Sequence, residues 1–203
     1  MSFTPIELKS DVSPDTGVKL NKGKSGNWYM VNTESKVACM WIQDVIVSIA
    51  NYTGSLSMMK ALTEDYTLHV YIHSPGGSIP AAAHIISAMS RCKAKIITHN
   101  LGLAASCGSL ILACGDLIKV HPFAVTMFHA SGSSASGLSH RLKISTEHLM
   151  KYVDSLFDMM KGRGMVTEQE CEAIVNRGAE FYLTDDEMNR RLDASNIRYR
   201  GER

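Results

Sequence analysis

This chain has little charge imbalance, no long apolar run and no paired-cysteine motif, and each absence removes a class of protein. Lys and Arg number 21 against 20 Asp and Glu, a formal net charge of +1 over 203 residues. That balance leaves no basic footprint for nucleic acid or for an anionic membrane. No uncharged apolar stretch reaches the roughly 18 residues that span a bilayer. The opening run Met1 to Ser10 has no basic-then-apolar signal pattern. The five cysteines, Cys39, Cys92, Cys107, Cys114 and Cys171, are odd in number and scattered. They form no C-x-x-C pair and no zinc-spaced His/Cys cluster, which argues for a reducing compartment and no structural metal. There is no Gly-x-x-x-x-Gly-Lys loop either, so any use of ATP has to come from a partner. The expectation is a soluble, cytoplasmic protein with no cofactor, no metal, no nucleic acid and no membrane partner.

What is present suffices for a core. Hydrophobic residues make up 45% of the chain, and its length favours one domain, with room for a small appendage. Residues 1–36 are polar and weakly periodic and read as an N-terminal arm, with Asn21–Asn27 as a loop or hairpin. The folded domain is expected over 37–203. Twelve methionines read as adaptable core filler, with a plastic subunit interface as the sharper alternative.

Periodicity divides the domain into alternating elements. Val37–Ala50 is apolar and β-branched and predicts one or two strands. Ser55–Leu62 predicts a short helix. Leu68–Ile72 predicts a strand, and Ile79–Ser90 a helix with Pro80 tolerated in its first turn. Strands are expected again at Lys95–His99, Leu117–Val120 and Val125–Phe128, with a helix over Cys107–Ala113. This alternation with short links argues for an α/β fold of parallel βα units. A long amphipathic helix is expected from about Ser139 to Lys161, stopped by Gly162 and Gly164. Thr167–Glu170 and Thr184–Glu187 read as capping boxes, each opening a short helix, with Ala179–Tyr182 as a short strand between those helices.

Chemistry gathers at the strand ends, as it does in open α/β sheets. Gly102-Leu-Ala-Ala-Ser-Cys-Gly108 places Ser106 between a strand and a helix, with small neighbours and backbone N–H groups at hand. A serine needs a base to act as a nucleophile, and His129, closing the run Val125–His129, is the best placed. Its unperturbed pKa of about 6.5 suits the role. His73 and His99 also end strands and stand as site-lining backups, whereas His69 and His84 sit within elements and read as structural. An oxyanion needs two N–H donors. Cys107 follows the nucleophile and Gly77 lies in the glycine turn Ser74-Pro-Gly-Gly77. A third group should orient the imidazole, and local logic leaves Glu180, Asp185 and Asp186 open. The loop Ala130–Gly137, rich in Gly and Ser, is a connector, a substrate border or a subunit contact.

Taken in order, these segments resemble the Clp peptidase family, serine proteases with a crotonase-like fold of repeated ββα units. Ser74-Pro-Gly-Gly-Ser78, Gly102–Gly108 and Val125–His129 carry the resemblance, which runs from about Leu68 to Asp193. The resemblance implies Ser106 as nucleophile, His129 as general base, Gly77 and Cys107 as oxyanion donors, and Glu180 as the acidic third member. Gly76, Ser131 and Gly132 would border the substrate. The helix after the histidine resembles the protruding "handle" helix that packs two rings together. The implied function is a serine endopeptidase acting on polypeptides inside a homo-oligomeric ring or stacked rings, with an ATP-dependent unfoldase, where one is needed, as a separate partner.

Three departures stand out: Glu180 where the family usually has Asp, His73 where it has Asn, and Arg190-Arg-Leu-Asp193 in place of its Gly-Leu-x-Asp ending. The Gly-Asp strand after the nucleophile helix, Gly115-Asp-Leu-Ile-Lys119, and the acidic-x-aromatic ending resemble divergent Clp-like proteases encoded by bacteriophages, which would place the chain in host cytoplasm. Alternatives are an inactive subunit or scaffold that assembles with an active partner, a capsid-maturation protease working without ATP, and an acyl-CoA enzyme of the same broad fold. The last is disfavoured because Ser106 and His129 are both present.

Overall fold

The computed structural model describes residues 18–22, 27–130, 151 and 154–195. Eight strands form one sheet: β1 (Val18–Lys22), β2 (Trp28–Asn32), β3 (Val37–Gln43), β4 (Thr67–Ser74), β5 (Lys95–Ala105), β6 (Leu117–Val120), β7 (Val125–His129) and β8 (Glu180–Thr184). The described helices are α1 (Thr53–Ala61), α2 (Ile79–Arg91), α3 (Cys107–Leu112), α4 (154–162), α5 (Glu168–Arg177) and α6 (Asp185–Ser195). The lateral order is β1-β2-β3-β4-β5-β7-β8, with β6 also on β5. The central pairs β3–β4, β4–β5, β5–β6 and β5–β7 are parallel. The flanks β1–β2–β3 and β7–β8 are antiparallel.

The strand period explains the layering. Along β4, Leu68, Val70 and Ile72 are fully buried while His69 and Tyr71 between them are only half so. The buried row joins Met58 and Met59 of α1 and Ala82, Ile85, Ile86 and Met89 of α2 in one core cluster. Each large apolar side chain buried this way stabilises the fold by roughly 1.5–3 kcal/mol. Ser78 caps α2, its hydroxyl accepting from Ala81 N, and Pro80 sits in the first turn, where its missing N–H costs nothing. Thr167 and Glu170 form the expected reciprocal capping box of α5. At Thr184 only half of the expected box forms: its hydroxyl accepts from Glu187 N, while the Glu187 carboxylate accepts from Arg191.

β5 is longer than its sequence suggests. The expected strand ended near His99, but the extended backbone continues through Gly102-Leu-Ala-Ala105. Its first half pairs with β6 (Ile97–Asn100 against Leu117–Val120) and its second half with β7 (Leu103–Ala105 against Val125–Met127). Asn100 stands at this fork, fully buried. Its Nδ2 donates to Val125 O and Thr126 Oγ1, and its Oδ1 accepts from Gly102 N. With these groups satisfied, a buried amide can hold the point where the strand changes partner.

Behind the sheet, Arg163 is 4% exposed and donates to the carbonyls of Ala113 and Gly115, closing the C-terminal end of α3 with a cation. The long helix expected over 139–161 falls within the described residues only in part, and 154–162 is helical. Ser131, Gly132 and the rest of the Gly/Ser loop lie outside the described residues. Among those described, no helix is long and apolar enough to cross a membrane.

Candidate active site

Ser106 is the hinge between β5 and α3, and its backbone is the odd one of the region: φ 54, ψ −123. A residue with a side chain is rare at positive φ and is held there only when its surroundings insist. Here the surroundings are specific. Ser106 N donates to Met127 O at 3.1 Å, continuing the β5–β7 ladder by one residue. Its carbonyl accepts from Ser109 N and from the Ser109 hydroxyl, starting α3. The sharp turn leaves Ser106 half-buried at the C-terminal end of the central strand β5.

His129 reaches the same place from β7. It lies two residues beyond Met127, about 7 Å along the strand. Ser106 and His129 line one cavity, together with Cys107, Ile79, Leu110, Phe128 and two residues of α4, Phe157 and Met160. The Ser106 hydroxyl and the His129 ring make no hydrogen bond with each other; such contacts are often long without substrate and tighten in the complex. Directly across the antiparallel β7–β8 pair, His129 is the register partner of Glu180. Opposed residues of such a pair share a face with Cβ atoms about 4.5–5.5 Å apart. The Glu180 carboxylate accepts a hydrogen bond from Tyr182 Oη at 3.0 Å. Asp185 is engaged elsewhere, accepting from Phe123 N at the far end of β7. Of the three acids left open by the sequence, Glu180 is the one opposite the histidine.

The glycine turn completes the arrangement. Gly76 is at φ +96 and Gly77 at φ +142. A Cβ on Gly76 would lie 2.7 Å from Ser106 Cβ and 2.9 Å from Cys107 N, so the turn is pressed against the serine segment. A Cβ on Gly77 would lie 2.3 Å from Ile46 O. The stretch Asp44–Ile46 holds the turn from behind. Ser74 Oγ donates to Asp44 O, Ile46 N donates to Gly76 O, and Ser78 N donates to Ile46 O. These bonds leave the exposed Gly77 N–H without an acceptor among the described contacts. The Cys107 N–H, in the first turn of α3, has no intrahelical acceptor. The buried Cys107 thiol donates to Gly77 O at 3.3 Å, tying helix to turn, and burial raises its pKa.

Two sequence expectations are corrected. His73 and His99 do not line this cavity. His73 lies over Gly102. His99 is buried on the sheet between His69 and His121, with ring nitrogens 2.9 Å and 3.1 Å apart. The period of two explains it: His69 and Tyr71 share one face of β4, away from the helices. Other contributors were not singled out beforehand. Tyr182 was legible, because i and i+2 share a strand face. Ile46 and Phe157 were not, since each reaches the site only through tertiary packing.

A strained serine and a histidine on one cavity, beside a double-glycine turn on a parallel sheet, define an α/β protein with a candidate catalytic site at the strand ends. The family model described as Clp protease matches residues 30–189. The chain belongs to the Clp protease family, and its mixed α/β architecture is of the ClpP type. It is similar to the ATP-dependent Clp protease proteolytic subunit 3, chloroplastic, of Arabidopsis thaliana, at 34% identity over 130 residues. That match covers 61% of this chain and 41% of the relative.

Proposed function

We propose that this chain is a serine endopeptidase. One observation carries the reading: Ser106, in a left-handed backbone turn, shares a cavity with His129 while the Gly76–Gly77 turn packs against it. The Ser106 hydroxyl attacks the scissile carbonyl carbon as His129 takes its proton. The tetrahedral oxyanion accepts from Gly77 N–H and Cys107 N–H, which supply charge stabilisation where it develops. Collapse breaks the C–N bond, and His129 returns the proton to the leaving amine. Water, deprotonated by His129, then attacks the acyl carbon; the bond to Ser106 Oγ breaks, the proton returns to Ser106, and the carboxylic acid product leaves. Glu180 orients the imidazole, with Tyr182 steadying its carboxylate. Gly76, Ser131 and Gly132 border the substrate. The family membership supports assembly into rings and cooperation with a separate ATP-dependent unfoldase. A cytoplasmic setting and a bacteriophage-like lineage complete the proposal.

The test is labelling by a fluorophosphonate followed by peptide mapping, alongside hydrolysis of short fluorogenic peptides. Modification at Ser106 is the expected result, and Ser106→Ala should abolish turnover, since a triad nucleophile is worth roughly a millionfold in a comparable enzyme. An assembled protein that neither labels nor cleaves would instead support a non-catalytic subunit. Glu180 in the acidic position and the Arg190-Arg-Leu-Asp193 ending favour that second reading.

A further inference from the structure

Ser74 ends β4 as the polar member of a buried row. Leu68, Val70 and Ile72 precede it on the same face, and all four are 0% exposed. A hydroxyl buried so completely has to find partners, and it finds two. Its Oγ donates to Asp44 O at 2.6 Å and accepts from Gly76 N at 3.1 Å. Asp44 itself sits in left-handed backbone, at φ 60, with its N–H donating to His73 O. The β4–β5 register shifts at this point: Ile72 stands opposite Asn100, but Ser74 stands opposite Ala104, two residues before Ser106. The hydroxyl therefore joins the stretch after β3 to the glycine turn, beside the serine segment.

What this junction fixes follows from the planarity of the peptide bond. Gly76 O accepts from Ile46 N at 2.8 Å. Across a trans peptide the carbonyl and the next N–H point opposite ways, so the Gly77 N–H is turned away from Ile46. Gly77 O lies on the α3 side, where it accepts from the Cys107 thiol at 3.3 Å. A Cβ on Gly76 would press on Ser106 Cβ and Cys107 N, so this side is the one Ser106 occupies. Any tilt of the Gly76–Gly77 peptide re-aims that N–H. We propose that Ser74 is the positioning residue of the oxyanion hole: its buried hydroxyl locks Asp44–Ile46 and the Gly76–Gly77 turn in the arrangement that aims Gly77 N–H at the adduct on Ser106. Ser74 touches no substrate and moves no proton. The role rests on the peptidase reading.

The test compares Ser74→Ala with the full-length parent on a short fluorogenic peptide. A re-aimed donor should lower kcat about a hundredfold and leave KM within about twofold. A peptide aldehyde, whose hemiacetal on Ser106 presents an oxygen to the donors, should bind weaker by a similar factor; the matching peptide alcohol should bind as before. Hydrogen exchange reads the bond apart from activity: the Gly76 amide should exchange at least about tenfold faster in Ser74→Ala, with the rest of the chain unchanged. Ser74→Cys keeps a weaker donor of similar shape and should fall about tenfold in kcat, between parent and alanine. It decides the matter where the alanine variant does not fold. Parent-level kcat in either variant overturns the proposal. So does a loss in which the alcohol weakens as much as the aldehyde, or exchange that quickens across the whole chain, because Ser74 would then be structural only. A parent that neither labels nor cleaves removes the peptidase reading, and this role with it.

Discussion

Replacing Gly76 by alanine probes the site through its backbone. The added Cβ would stand 2.7 Å from Ala105 O, 2.7 Å from Ser106 Cβ and 2.9 Å from Cys107 N. Relaxed contacts between non-bonded heavy atoms are about 3.5–4.0 Å, so each gap is short by roughly 0.6 Å or more. Two of the three atoms are backbone and cannot rotate aside. The φ of +96 adds strain on the order of 1–3 kcal/mol for a residue with a side chain. The segment carrying Ser106 must therefore shift by a sizeable fraction of an ångström, and a 1 Å misplacement of a reacting group costs about a hundredfold in rate. Fluorogenic peptide hydrolysis should show kcat/KM down by about that factor, and urea unfolding should show a loss of about 1–3 kcal/mol. Two other glycines serve as controls. Gly178, at φ +65 with nothing within 4 Å, should lose about 1 kcal/mol as alanine and keep its turnover. Gly162, in α4 with open space around it, should be neutral or gain up to about 1 kcal/mol. A Gly76→Ala protein that folds and turns over like the parent would refute the packing argument.

The imidazole file on the sheet should make stability depend on pH. Burial first, then the neighbouring His69, His121 and Lys119 charges, hold His99 down to about 4. The unfolded chain protonates this ring near pH 6.5, so stability is full above that value and falls as pH drops toward 4. His99→Phe keeps a ring in the stack without a titrating group, and urea midpoints compared at pH 7 and pH 5 should show a smaller loss. The Arg191 guanidinium grips Glu170 with two bonds of 2.7 and 2.9 Å and also meets Glu187 and Met165 O. It holds the Glu170 carboxyl down to about 2, so this contribution is present above about pH 4.5 and is lost as pH falls toward 2. Arg191→Ala should cost about 1–3 kcal/mol at pH 7 and flatten that acid limb, and an unchanged acid transition would contradict it.

Much of this was open to reading from residue order. Leu68, Val70 and Ile72 alternate with polar neighbours, and a strand buried on one side is the only way to hide them. Ser78 and Thr167 announce their helices because a hydroxyl at that position satisfies an orphan N–H. The site's chemistry was legible where residue type limits function: a serine among small residues, a histidine closing an apolar strand, two adjacent glycines. Less legible was the length of β5, because Gly102-Leu-Ala-Ala reads as a turn until β7 arrives to pair with it. The backup roles given to His73 and His99 failed for a related reason, since position along a strand does not say which face the side chain will take.

By itself the order of amino acids determined the alternation of strand and helix, the caps and the kinds of reactive group available, because all of these are set by interactions within a few residues. Tertiary structure alone decided the rest. It set the register that puts Glu180 opposite His129, the fork at Asn100 that gives β5 two partners, and the pressure of Gly76 on the turn at Ser106. Each of these joins segments about 25 to 50 residues apart in the sequence, and no local preference reaches that far.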